Sequence, residues 1–209
     1  AAEYRDPETG AHILRMAHYS ERIARRLGLD AELCERILTA APMHDIGKVG
    51  TPDHILLKPG KLTPDEWEIM KTHAKLGSDA IEMAEKDEAQ PVAFLTFAKE
   101  IARHHHERWD GSGYPDGLRG DEIPLSARLM ALADVFDALT SRRVYKAPMS
   151  METARRIIVE GRGSHFDPDV VDAFLTAIDG FAAIALHYRD ELPEDGVTDG
   201  AAPSSGSGG

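Results

Sequence analysis

HDIGKVGTPDHILLKPGKLTPDEWEIMKTH, His44 to His73, decides how the chain is organised. Thr63-Pro64-Asp65-Glu66 has the form of a capping box with proline at the first helical position, so a helix opens there and carries His73. Upstream, His44 and Asp45 end a segment whose apolar residues Leu33, Ile37 and Ala41 are spaced as on a helix. Gly47 lets the chain turn between the two, and Lys48 projects back. The stretch reads as helix, turn, helix, with an imidazole and a carboxylate at the first helix end and a second imidazole on the next.

The same period continues outward. Ile13, Met16, Ile23 and Leu27 recur at helical intervals, as do Ala98, Ile101, Ala102 and His105, and no sustained strict alternation appears. The expected fold class is all-α. Asp6-Pro7, Pro91 and Asp167-Pro168 add start signals, giving helices over 7–28, 31–46, 64–85, 91–107, 124–141, 151–161 and 168–188, the last broken near Gly180. Gly111 to Pro124 is a long Gly/Pro loop, of the kind that carries function more often than mere connection. One domain is expected over residues 1–190, followed by a tail, 191–209, ending in PSSGSGG, expected to be disordered or a linker. No internal repeat is present.

Composition narrows the function. A net charge of −12 argues against a surface that coats long nucleic acid, which needs clustered Lys and Arg, but not against a small phosphorylated substrate, because bound cations can reverse the local field. No signal-peptide pattern or apolar run approaching about 18 residues is evident, so no membrane segment and a cytoplasmic location are expected. The single cysteine, Cys34, excludes an internal disulfide and any multi-cysteine zinc site, and is read as core.

Several polar residues sit where a helix should be apolar. Glu8 and His12 are four apart and share a face. His44 with Asp45, His73, and the pair His105 and His106 lie on or at the ends of apolar helices. Asp134 lies among Leu129, Leu132, Val135 and Leu139, where a carboxylate is expensive to bury unless paired or metal-bound. Each alone is more often a satisfied polar residue than a ligand. Eight N/O donors from four or five helices make independent accidents a poor explanation.

With those residues in view, the chain resembles an HD-GYP domain, a subgroup of the HD metal-dependent phosphohydrolase superfamily. The resemblance is carried by ETGAH (8–12), the 44–73 stretch, HHERWDGSGYPDGLRGDEIP (105–124), ADVFDALTSRRVYK (133–146) and FDP (166–168). It implies a five-helix HD core with additional C-terminal helices, a long GYP loop and a centre of two or three divalent metal ions. The ligands implied are Glu8, His12, His44, Asp45, His73, His105, His106 and Asp134, with Asp45 bridging and Glu8 accompanying a third ion. Ligation by N and O alone suits iron or manganese and tolerates zinc, nickel or cobalt. His18, His54, His104, His165 and His187 are assigned structural or solvent-facing places.

The activity implied is hydrolysis of cyclic di-GMP to linear pGpG and on to GMP, through a metal-bridged hydroxide attacking phosphorus. Asp45 and Lys48 would be the catalytic residues, Lys48 stabilising phosphate charge or assisting the leaving oxygen. Lys48, Tyr114, Arg143 and Lys146 would contact substrate, Tyr114 by stacking on guanine or donating its hydroxyl. Trp109 is expected to pack the loop on the core. Arg142 and Val144 depart from the acidic residue and proline usual at those positions. Two alternatives stay open: another cyclic dinucleotide such as cyclic GMP-AMP as substrate, or a binding module whose GYP loop meets GGDEF-type diguanylate cyclase domains. Similar domains are usually tethered to an N-terminal receiver or sensor, so the regulatory part is expected either to have been removed or to lie elsewhere.

Overall fold

The computed structural model describes residues 10–86, 93–141 and 148–189. Among them are eight α-helices: α1 (Gly10–Arg26), α2 (Ala31–Ala40), α3 (Asp53–Leu56), α4 (Pro64–Lys86), α5 (Ala93–His104), α6 (Leu125–Thr140), α7 (Met151–Glu160) and α8 (Pro168–His187). No strand occurs among the described residues, only a single bridge between Arg162 and Phe166. The all-α class expected from the sequence is the one found among the described residues.

Local chemistry explains the boundaries. Asp30 caps α2 by accepting the Leu33 N–H at 2.8 Å. The box at α4 is closed both ways: Thr63 N–H reaches Glu66 Oε2 at 2.7 Å, and Glu66 N–H reaches Thr63 Oγ1 at 3.3 Å. Asp167 caps α8 ahead of Pro168. Asp6-Pro7, Pro91 and the 191–209 tail lie outside the described residues.

Three expectations need correction. The helix expected over 31–46 stops at Ala40, where Pro42 forces a 3-10 turn at Ala41–Met43, with another at Ile46–Gly50. Those tight turns set His44 and Asp45 between them. The helix expected over 91–107 ends at His104, although His105 N–H still bonds Ile101 O at 3.0 Å. Finally, α8 runs unbroken through Gly180, where the missing side chain leaves room for Arg22: a Cβ there would lie 1.9 Å from the guanidinium carbon.

The core lies between α1, α2, α5, α6 and α8. Met16, Tyr19 and Ile23 of α1 meet Leu129, Leu132 and Phe136 of α6, with Ile37, Ile101, Phe174 and Phe181 filling the remainder. Tyr19 stacks on Phe181 at 4.4 Å, and Phe136 meets both edge-on. Each such side chain contributes roughly 1.5–3 kcal/mol by burial. Cys34 is buried and free, as read from the sequence. By length and composition alone α8 could cross a membrane, with mean hydropathy 1.6 over an 18-residue window, which departs from the sequence expectation of no such run. Here its Val170, Phe174 and Phe181 face the protein interior.

Candidate metal centre

The tight turns after α2 lay residues 46–50 against α4 at van der Waals distance. Gly47 makes this possible: a Cβ there would meet His73 O at 1.9 Å and Gly77 N at 2.4 Å. Only a residue without a side chain lets the Asp45 turn come so close to His73.

Asp45 is the hub. Its Oδ1 lies 3.0 Å from His73 Nε2 and 3.7 Å from His105 Nε2, while Oδ2 lies 3.3 Å from His44 Nε2. On one side, Asp45, His73, His105 and His106 bring donor atoms within 4.8 Å of one another. On the other, His12, His44 and Asp134 do the same. Seven of the eight residues named as metal candidates thus fall into these two groups, contributed by α1, the α2–α3 connection, α4, the end of α5 and α6. Glu8, Arg143 and Lys146 lie outside the described residues.

The imidazoles are oriented by their far nitrogens. Nδ1 of His44 bonds Ala41 O at 3.1 Å, that of His73 bonds Met70 O at 2.7 Å, and that of His105 bonds Ile101 O at 2.8 Å. A carbonyl only accepts, so each Nδ1 carries the proton and each Nε2 presents a lone pair to the centre. His12 differs: its Nδ1 donates to Asp137 Oδ2 at 2.8 Å.

These residues fit divalent cations. His105 Nε2 is buried with no hydrogen-bond partner among the described residues, and His106 Nε2 faces His73 Nε2 at 3.1 Å. An orphaned buried acceptor costs about 1–3 kcal/mol, which a cation at that point offsets. Desolvation first, then the neighbouring imidazoles, hold His106 well below the ordinary histidine range; burial also lowers His105. Both are therefore kept neutral, as ligation requires.

Lys48 pairs with Asp45 Oδ2 at 2.5 Å. Tyr114 stacks on His106 with centroids 4.8 Å apart, meets Trp67 edge-on at 6.0 Å and has the Lys71 ammonium over its ring at 5.9 Å. Trp109 packs beneath Arg128 and beside Gly120, in the structural place expected for it. His18 stacks on Tyr188 at 5.0 Å and His165 on Phe166 at 4.1 Å, consistent with structural places.

The expected burial of a carboxylate on α6 falls on a different residue. Asp134 is half-buried, whereas Asp137, one turn on, is wholly buried. Asp137 accepts from His12 and also from Arg15 Nε at 2.6 Å and Nη2 at 3.0 Å. Burial by itself raises a carboxyl's pKa, but these hydrogen bonds outweigh it and hold Asp137 below the usual range. Sequence reasoning missed both partners. The signals were an arginine beside Met16 on a buried face, and a second aspartate three residues after Asp134 in an apolar helix.

Comparison with known proteins agrees with this architecture. The family model described as HD domain matches residues 1–170. A probable cyclic di-GMP phosphodiesterase of Vibrio cholerae is 59% identical over 198 residues, covering 91% of this chain and 45% of that protein. A 3′3′-cGAMP-specific phosphodiesterase 2 of the same organism is 45% identical over 194 residues, covering 93% of this chain and 35% of that one. The chain thus spans less than half the length of these curated relatives. Among solved structures, the HDG"Y"P protein Bd1817 from Bdellovibrio bacteriovorus superposes with TM-score 0.60 at 20% identity, over 81% of this chain and 52% of that one, a likeness of fold. The chain belongs to the HD domain family, and its Gly113-Tyr114-Pro115 loop assigns it to the HD-GYP branch.

Proposed function

We propose that this domain, residues 1–190, is a metal-dependent phosphodiesterase that opens cyclic di-GMP to pGpG and cleaves that product to GMP. The observation supporting it most is the place of Asp45, one oxygen turned to each of two N/O donor groups. The relative that is 59% identical is named a probable cyclic di-GMP phosphodiesterase, which favours that dinucleotide.

In this reading His73, His105 and His106 would hold one cation, His12, His44 and Asp134 would hold a second, and Asp45 would serve both. Glu8 would accompany a third. Iron or manganese suits this all-N/O set, with zinc, nickel or cobalt tolerated. Bound divalent ions supply Lewis acidity at the phosphate and an activated water. The remaining work belongs to the chain. Carbonyl-anchored Nδ1 protons fix the rings of His44, His73 and His105, so their Nε2 lone pairs need no reorganisation. Lys48 offsets the charge of Asp45 and is the cation nearest it to meet a phosphate oxygen or the leaving 3′ oxygen. Tyr114, braced by His106, offers an aromatic contact to guanine beside the centre. Arg143 and Lys146 would bind phosphate or the Hoogsteen edge of guanine. A cytoplasmic location and docking of GGDEF-type domains on the GYP loop complete the proposal.

The test is to incubate metal-loaded, anaerobically handled protein with cyclic di-GMP, 3′3′-cGAMP and cyclic di-AMP and resolve the products by chromatography. Fastest consumption of cyclic di-GMP, with pGpG preceding GMP, is expected. Faster consumption of 3′3′-cGAMP would instead favour the specificity named for the 45% relative.

A further inference from the structure

Glu107 directly follows the two histidines and is 2% exposed, yet its carboxylate serves neither cation group. Instead Oε1 accepts the N–H groups of Asp116 at 2.7 Å and Gly117 at 3.1 Å, and Oε2 accepts that of Leu118 at 3.1 Å. Three successive backbone donors converge on one buried anion, which satisfies both partners at once.

The other limb of the same loop touches the centre. Tyr114 N–H bonds His106 O at 3.3 Å, and its ring lies on the His106 imidazole at an interplanar angle of 24°. Gly113 runs so close beneath that a Cβ would sit 2.5 Å from Glu107 Cα and 2.4 Å from Arg108 N. From outside, Arg103 grips Asp116 through bonds of 2.7 and 2.8 Å. The loop is therefore tied at both limbs to residues 103–108, the segment that carries His105 and His106.

We propose that Glu107 is a positioning residue: by gathering the amides of residues 116–118 it holds Tyr114 against His106 and so shapes the substrate side of the centre. The proposal rests on the reading above that Tyr114 meets the substrate. A competing use of Glu107 exists, because His104, Glu107 and Asp116 bring donor atoms within 4.8 Å. Both Glu107 oxygens already serve backbone amides, however, and Asp116 already serves Arg103. A cation there would have to displace four or more hydrogen bonds.

Two measurements test it. Amide hydrogen exchange is followed in metal-free wild type, Glu107→Gln and Glu107→Asp, with helical circular dichroism as the check on folding. Exchange at Asp116, Gly117 and Leu118 is expected to rise by at least about tenfold in both variants while α4 and α6 are unchanged. Retained protection at those three amides overturns the clamp. The second is a double-mutant cycle in kcat/KM at equal metal content. Tyr114→Ala is expected to lower wild-type activity but to add less than about a twofold loss on top of Glu107→Gln. Full additivity overturns the positioning role. The exchange measurement needs no substrate, so it decides the clamp separately from the identity of the dinucleotide.

Discussion

Asp137 holds His12 by its Nδ1 proton, and the same carboxylate carries two hydrogen bonds from Arg15. The carbonyl-anchored histidines of the centre, His44, His73 and His105, are oriented by backbone three or four residues before them; His12 is oriented by a buried ion pair reaching from α1 to α6. The group formed by His12, His44 and Asp134 thus depends on the packing of two helices as well as on local backbone.

Asp137→Asn should expose that dependence. It leaves Arg15 buried without its anion, so destabilisation of about 3 kcal/mol in urea melts is expected. Metal titration should show one class of site weakened by about 10- to 100-fold, with the Asp45, His73, His105 and His106 group little changed.

Asp45→Asn and His12→Ala should part company. Asp45 faces both donor groups, so its substitution is expected to empty both, whereas His12→Ala should lower metal content by about one ion per chain. Elemental analysis after gel filtration reads the difference.

Lys48→Ala should leave metal content unchanged or higher, because it removes a cation that competes for Asp45. Turnover is expected to fall about 10²-fold, the scale on which one charge-stabilising group acts. Unchanged turnover at full metal content would remove Lys48 from the mechanism.

Gly47→Ala tests the close approach of the turn to α4. A Cβ at 1.9 Å from a backbone oxygen cannot be absorbed by a side-chain shift, so the turn must move and carry Asp45 away from His73. A loss of about 3 kcal/mol in stability is expected, with metal binding weakened at both groups.

Acid should weaken the metal-free protein through buried neutral histidines. Burial, and then the charge of Arg108, push His165 down to about 4. An unfolded histidine takes its proton near pH 6.5, so the unfolded state binds more protons below that value. Stability from His165 is thus complete above about pH 6.5 and is lost as pH falls towards 4. Urea melts in chelator should show this slope, and His165→Gln should flatten it.

Much of this was readable in the sequence, and what was missed has physical causes. Apolar spacing revealed the long helices because each buries one stripe, and the Thr63 box revealed the start of α4. The end of α2 was placed too late because the apolar period runs on through Ala41, whereas the missing N–H of Pro42 matters more to the hydrogen-bond ladder. Gly180 reads as a break until Arg22 is seen crossing it. The candidate ligands were legible as polar residues on apolar faces. Asp137 and Arg15 were not, because their partner lies 122 residues away and only packing joins them.

The central claim is that Asp45 stands between two cation sites. Anomalous diffraction at the manganese edge, from crystals of this chain grown with manganese, measures this directly. The account predicts two strong peaks flanking Asp45, one amid His73, His105 and His106 and one amid His12, His44 and Asp134. A single peak away from Asp45, or none at full manganese loading, would contradict it.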